Sequence, residues 1–78
     1  MPLFYFDVYN DDNTLDDEGA ELADERAAHA HAIKEARALA ADTVQRGHLV
    51  RHHRIDIRDE NHVTVGSVLF EQAVDIRP

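Results

Sequence analysis

Two hydrophobic periods divide this chain. Between Asp24 and Gly47 the apolar residues recur every three to four positions: Ala28, Ala32, Ile33, Ala36, Leu39, Ala40 and Val44, with His29 and Thr43 inside the same stripe. Lys34, Glu35, Arg37, Asp42 and Gln45 fall on the opposite side. That spacing predicts one amphipathic helix with a single buried face. Asp24 suits the N-cap, where a carboxylate accepts from orphan amides, and Glu25 puts negative charge at the positive end of the helix dipole. Arg46 suits the other end, and Gly47 can adopt the left-handed conformation that stops a helix. The stripe is mostly alanine, so the bulky core residues must come from elsewhere. Such a helix is roughly 35 Å long, whereas a seven-residue strand spans about 23 Å. One helix end is therefore expected to overhang the sheet or to meet a second subunit.

Outside the helix the period falls to two. Leu3 to Tyr9 alternates, with Phe4, Phe6 and Val8 on the face assigned to the helix and Leu3, Tyr5, Asp7 and Tyr9 on the other. Asn10 to Asn13 reads as a tight turn. Thr14 to Asp17 is the candidate for a short return strand, and Gly19 marks a second turn. Leu22 is placed to pack on the helix start as a hydrophobic staple. After Gly47, His48 to His53 is a connector whose Leu49 and Val50 can close the core. Arg54 to Arg58 is a strand with Ile55 and Ile57 inward. Asp59 to His62 is a hairpin turn, and Val63 to Phe70 is the last long strand. Gly66 inside that strand predicts a bulge or a close backbone approach. In the tail, Val74 and Ile76 alternate, as in a further short strand or a docked segment.

The pattern defines an α+β domain: a three- or four-stranded, mainly antiparallel sheet with one long helix packed on one face. One helix cannot cover both faces. Leu3, Tyr5 and Tyr9, with Val65 or Val68, make the second face rather apolar for solvent and mark it as an interaction face.

Size and charge sharpen this reading. A chain of 78 residues is one domain near the small end of self-sufficiency, burying roughly 60% of its unfolded surface, and dimerisation would remedy that. The chain has no cysteine, hence no disulfide framework and no thiolate chemistry. It has no apolar run approaching a membrane span and no basic, apolar leader, so a cytoplasmic location is expected. The net charge of −8 disfavours nonspecific binding to nucleic acid or anionic membrane. The charge is uneven: the first 25 residues hold nine acids and no base, whereas residues 26–58 hold seven bases against Glu35, Asp42 and Asp56.

Candidate chemistry is sparse. The acidic stretch Asn10 to Glu21 lacks the glycine and glutamate spacing of an EF-hand and reads as a solvated turn. His29 and His31 sit about 200° apart on the helix and cannot share a metal there. His48, His52 and His53 lie close in sequence, but no His-x₃-His pair and no cysteine accompanies them, so they read as a polar connector. His29 falls on the buried stripe, where a hydrogen-bonded core-edge histidine is expected. Arg51, Arg54 and Arg58 are candidate phosphate contacts, opposed by Asp56 on the same strand face. No nucleophile elbow, phosphate loop, dinucleotide fingerprint or zinc-protease motif is present, so no catalytic, cofactor or metal residue is assigned and enzymatic function is not expected.

The opening Pro2-Leu3-Phe4-Tyr5-Phe6-Asp7-Val8, the segment Asp17-Glu18-Gly19-x-Glu21-Leu22, the alanine-rich helix, and the Asp59-Glu60 turn followed by Phe70-x-x-Ala73-Val74 resemble a group of small bacterial proteins known as a domain of unknown function. The resemblance spans nearly the whole chain and implies a compact α+β domain, with no catalytic residue to carry over. That family usually has a glycine in its last hairpin turn, near the position of His62 here. A looser likeness to HicB-like antitoxin domains is analogy alone. The function expected is a non-enzymatic interaction domain, a homodimer or the binder of an unidentified protein. The alternatives are a regulatory module meeting nucleic acid through Arg46 to Arg58, and a metal-binding sensor or enzyme.

Overall fold

The computed structural model describes residues 1–75 and residue 77. Its elements are β1 (Leu3–Tyr9), β2 (Ala20–Glu21), α1 (Glu25–Gln45), β3 (Arg54–Arg58), β4 (Thr64–Leu69) and α2 (Phe70–Ala73). The four strands form one antiparallel sheet in the order β2-β1-β3-β4. The α+β architecture is therefore as expected, with four strands.

Alternation explains the inner face. Phe4 and Phe6 of β1, Ile55 and Ile57 of β3, and Val68 of β4 are all buried beneath α1. The helix meets them with Ala28, Ala32, Ala36 and Ala40, one residue per turn and all buried. Small residues at i, i+4 spacing let the helix lie close, so the large strand side chains fill the space between layers. Each fully buried isoleucine or phenylalanine contributes about 1.5–3 kcal/mol. Phe70 and Ala73 of α2 close one end of this core.

The helix is capped as its sequence dictates. Asp24 Oδ1 accepts from the Ala27 amide at 2.8 Å. At the far end Gly47 adopts φ +97°, and the His48 amide returns to the Thr43 carbonyl at 3.1 Å. Two expected members of the buried stripe are displaced. Val44 is 57% exposed, whereas Thr43 is buried, as its place in the stripe predicts. His29 is exposed as well. Its ring lies near Gly66, where the absence of a side chain leaves it room at the helix flank.

Three strand boundaries also shift. The return strand is Ala20–Glu21, not Thr14 to Asp17, of which only Thr14 makes an isolated bridge, to Val8. The last strand stops at Leu69, because Phe70 starts the α2 turn, where Gln72 Oε1 accepts from the Leu69 amide at 2.9 Å. The tail after it is thus a docked helical turn rather than a strand, and Ile76 lies outside the described residues. Gly66 does accompany a bulge: Ile57 pairs with Gly66 and Arg58 with Thr64, leaving Val65 as the extra residue. The β3–β4 turn is held by Asp59, whose Oδ1 accepts from the Asn61 and Val63 amides, and His62 takes φ +63°. A histidine thus occupies the left-handed position for which glycine was expected.

Candidate functional site

The face of the sheet turned away from α1 is a grid of two aromatic–cation pairs around a central pair of acids. Antiparallel register sets Tyr5 opposite Arg58, Asp7 opposite Asp56 and Tyr9 opposite Arg54. The Arg54 guanidinium carbon lies 4.5 Å from the centre of the Tyr9 ring, and that of Arg58 lies 5.1 Å from the centre of Tyr5. The His62 ring stacks on Tyr5 with centroids 5.0 Å apart, a position that its unusual backbone makes reachable.

Each guanidinium is fixed by a carboxylate. Arg58 donates from Nε to Asp7 Oδ2 at 2.6 Å and from Nη2 to Asp7 Oδ1 at 3.1 Å, the bidentate geometry that favours arginine over lysine. Arg58 Nη2 also donates to the Asp16 carbonyl at 3.1 Å. The hydrogen bond to Asp7 is the main reason that Arg58 holds its proton above its ordinary range. Arg54 Nε donates to Asp56 Oδ1 at 3.0 Å, and Ser67 Oγ donates to the same oxygen at 2.8 Å.

Asp7 is a correction to the sequence reading. Alternation places it on the outer face, yet it is 2% exposed. Arg58 and the loop after β1 cover it. Val68 is likewise removed from that face: it is fully buried under α1. Leu3 is partly covered by the Gly19 turn, whose Cα would carry a Cβ only 3.1 Å from the Leu3 side chain. Tyr5 and Tyr9 remain half-buried at the surface. Of the arginines, Arg51 is exposed in the turn before β3, Arg54 and Arg58 share the outer face, and both of those are paired with acids.

The acidic loop has a structural task that its composition concealed. Asp16 Oδ2 accepts from the Phe6 amide at 3.1 Å, and Oδ1 accepts from the amides of Glu18 and Gly19, both at 3.1 Å. The Asp16 amide in turn donates to Asp7 Oδ1 at 2.9 Å. Thr14 exchanges two backbone bonds with Val8, and β2 pairs with Leu3 and Phe4. The carboxylate of Asp16 thus fills the gap between these pairings along the outer edge of β1. Burial pushes Asp16 upward, but the amides of Gly19, Phe6 and Glu18 and the charge of Arg58 outweigh it and hold the carboxyl below its ordinary value.

Between this loop and α1 lies an open groove of about 400 Å³, floored by Phe6 and edged by Glu18, His31 and Glu35. Burial raises the Glu35 carboxyl above its usual range. Its Oε2 is out of contact with solvent and makes no hydrogen bond; His31 Nε2, at 3.8 Å, is near enough for charge attraction only. His31, not His29, is the core-edge histidine, its ring 4.5 Å from that of Phe6. His53 is buried against Phe70, with Nε2 3.6 Å from Asp11, whereas His48 and His52 are exposed. Among the described residues no three His, Cys, Asp or Glu side chains come together as a metal site would require. No helix among them is long and apolar enough to cross a membrane.

The molecule is thus a small α+β domain with one roofed face and one open face built of tyrosine and arginine. Residues 3–71 match the family model of a domain of unknown function, DUF6894, and the chain belongs to that family. No curated protein and no solved structure matches the chain.

Proposed function

We propose that this domain acts by binding rather than by catalysis, as a homodimer that presents its open sheet face to a protein partner. The observation that carries the proposal is the outer grid of Tyr5–Arg58 and Tyr9–Arg54. Tyrosine and arginine are among the side chains enriched at the energetic centres of protein interfaces. Here both guanidiniums are already held by carboxylates, so docking would cost little side-chain entropy. The same pairing weighs against nucleic acid. Arg58 is neutralised by Asp7 and Arg54 by Asp56, and the chain carries −8 overall, so a phosphate backbone would meet little uncompensated positive charge.

The test is capture of partners from the native host, followed by reassembly from purified components. Wild type is compared with a Tyr9→Ala/Arg54→Ala double variant and with Lys34→Ala on the exposed side of α1. A protein bound by wild type and by Lys34→Ala, and bound roughly tenfold or more weakly by the double variant, is expected. Equal binding by the double variant overturns the assignment of the face. Salt-sensitive recovery of nucleic acid lost in Arg51→Ala and Arg54→Ala variants would replace the protein reading with the nucleic-acid one.

A further inference from the structure

The two edges of the sheet are finished differently. The outer edge of β1 is sealed by its own chain, through Thr14, the Asp16 carboxylate and β2. The outer edge of β4 has no strand beside it among the described residues. The Phe70 amide donates to the His53 carbonyl at 2.7 Å, on the β3 side. Backbone groups alternate sides along a strand, so the amides and carbonyls of Leu69 and Ser67 point outward. Gln72 takes the Leu69 amide, and among the described residues no hydrogen bond reaches the outward peptide groups of Ser67.

We infer that β4 is where two copies of this chain meet, pairing antiparallel across a two-fold axis to make one eight-stranded sheet. This rests on the homodimer reading and supplies its surface. Three observations select a second copy as the occupant. First, an antiparallel pair across a two-fold axis sets the residue on the axis against itself and brings its near neighbours within reach of their own copies, so a charge there would meet its like. β4, Thr64-Val65-Gly66-Ser67-Val68-Leu69, has no charged residue, whereas β1 carries Asp7, β2 carries Glu21 and β3 carries Arg54, Asp56 and Arg58. Second, edge strands are ordinarily protected by charge, proline or a bulge. Here the bulge at Val65 twists away only the first end, leaving Gly66 to Leu69 regular. Third, α1 lies toward this side, with His29 beside Gly66 and Arg37 Nε donating to the Ala73 carbonyl at 2.6 Å. Ile33, between them in the helix and partly exposed, would be brought toward its counterpart. On the other side the sheet ends in β2, a strand of two residues that carries Glu21 and is too short to pair in the same way, so each copy has a single pairing surface, and assembly closes at two and does not run on into a filament.

The experiment is sedimentation of the wild-type chain over a range of concentrations, beside Ser67→Lys and Ser67→Pro. Ser67 is exposed and its amide points outward, so a lysine or an edge proline there can keep the fold, which circular dichroism checks. The expected result is a wild-type dimer and folded variants that associate roughly tenfold more weakly. A wild-type monomer at every concentration overturns both this inference and the homodimer reading. A dimer of unchanged strength in both variants overturns the β4 surface and leaves the homodimer standing. Open-ended oligomers overturn the sealed-edge argument. If Ser67→Lys fails to fold, Ser67→Pro carries the same comparison, because it removes the outward amide without adding a charge.

Discussion

Arg58 grips Asp7 with two hydrogen bonds across 51 positions of sequence, and Asp7 is 2% exposed. The two ends of this pair are not equivalent. Removing Arg58 strands a buried carboxylate, whereas removing the charge of Asp7 leaves a guanidinium at the sheet surface that can reach water. Arg58→Ala is therefore expected to destabilise the fold by about 3 kcal/mol. Asp7→Asn, which keeps an acceptor for the Asp16 amide, is expected to cost about 1–2 kcal/mol. Urea unfolding of the two variants measures both, and an equal or reversed order contradicts the assignment of Asp7 as the buried member.

Asp16 stands in for a missing stretch of strand. Asp16→Ala removes the acceptor of three amides, one of them on β1, and is expected to cost about 2 kcal/mol. Its pH dependence has a definite sign. Because its folded pKa lies below the ordinary value, the ionised carboxylate favours the folded state. That contribution is complete above about pH 4 and is lost as the pH falls through the folded value. Melting curves should show wild type more stable than Asp16→Asn at neutral pH, with the gap closing on acidification.

Glu35 has the opposite sign. Burial raises its pKa, so folding favours the protonated form. Its favourable contribution is present below about pH 4 and is lost as the pH rises through the folded value. Glu35→Gln should therefore melt higher than wild type at neutral pH and at the same temperature in acid. A variant no more stable than wild type at pH 7 would contradict burial as the dominant influence on Glu35.

Two glycines with positive φ separate strain from space. Gly19 (φ +75°) and Gly47 (φ +97°) each disfavour a side chain by about 1 kcal/mol through backbone conformation. A Cβ at Gly19 would also stand 2.9 Å from the Phe4 carbonyl, while one at Gly47 would meet nothing within 4 Å. Gly19→Ala should accordingly cost more than Gly47→Ala and loosen the β1–β2 pairing, which calorimetry and amide exchange at Leu22 report.

The helix was legible because cap, period and stop agree within one local segment: Asp24, the alanine stripe and Gly47. The three long strands were legible because one of their faces is buried. What escaped was set by tertiary partners. Asp7 obeys alternation and faces outward, but Arg58 buries it, and nothing near Asp7 in sequence announces that. Asp16 seals β1 with a side chain, so Thr14 to Asp17, which directly follows the Asn10 to Asn13 turn, reads as the return strand of a hairpin, although the paired residues lie beyond Gly19. Val44 lies on the edge of the helical stripe, where a few tens of degrees decide burial, whereas His29 lies inside the stripe but in the first turns of the helix, and both are exposed. Of the outer face, Tyr5 and Tyr9 were legible, and so was the shared side of Arg54 and Arg58. Their interlocking required the β1–β3 register.

The contrast between a sealed edge at β1 and an open one at β4 is tested most directly by residue-resolved amide exchange on the wild-type chain at low and high concentration. The Phe6 amide, held by Asp16, should be protected equally at both, and the Ser67 amide should gain protection only as the chain concentration rises. A Ser67 amide that exchanges freely at every concentration, or a Phe6 amide whose protection follows concentration, would contradict the account.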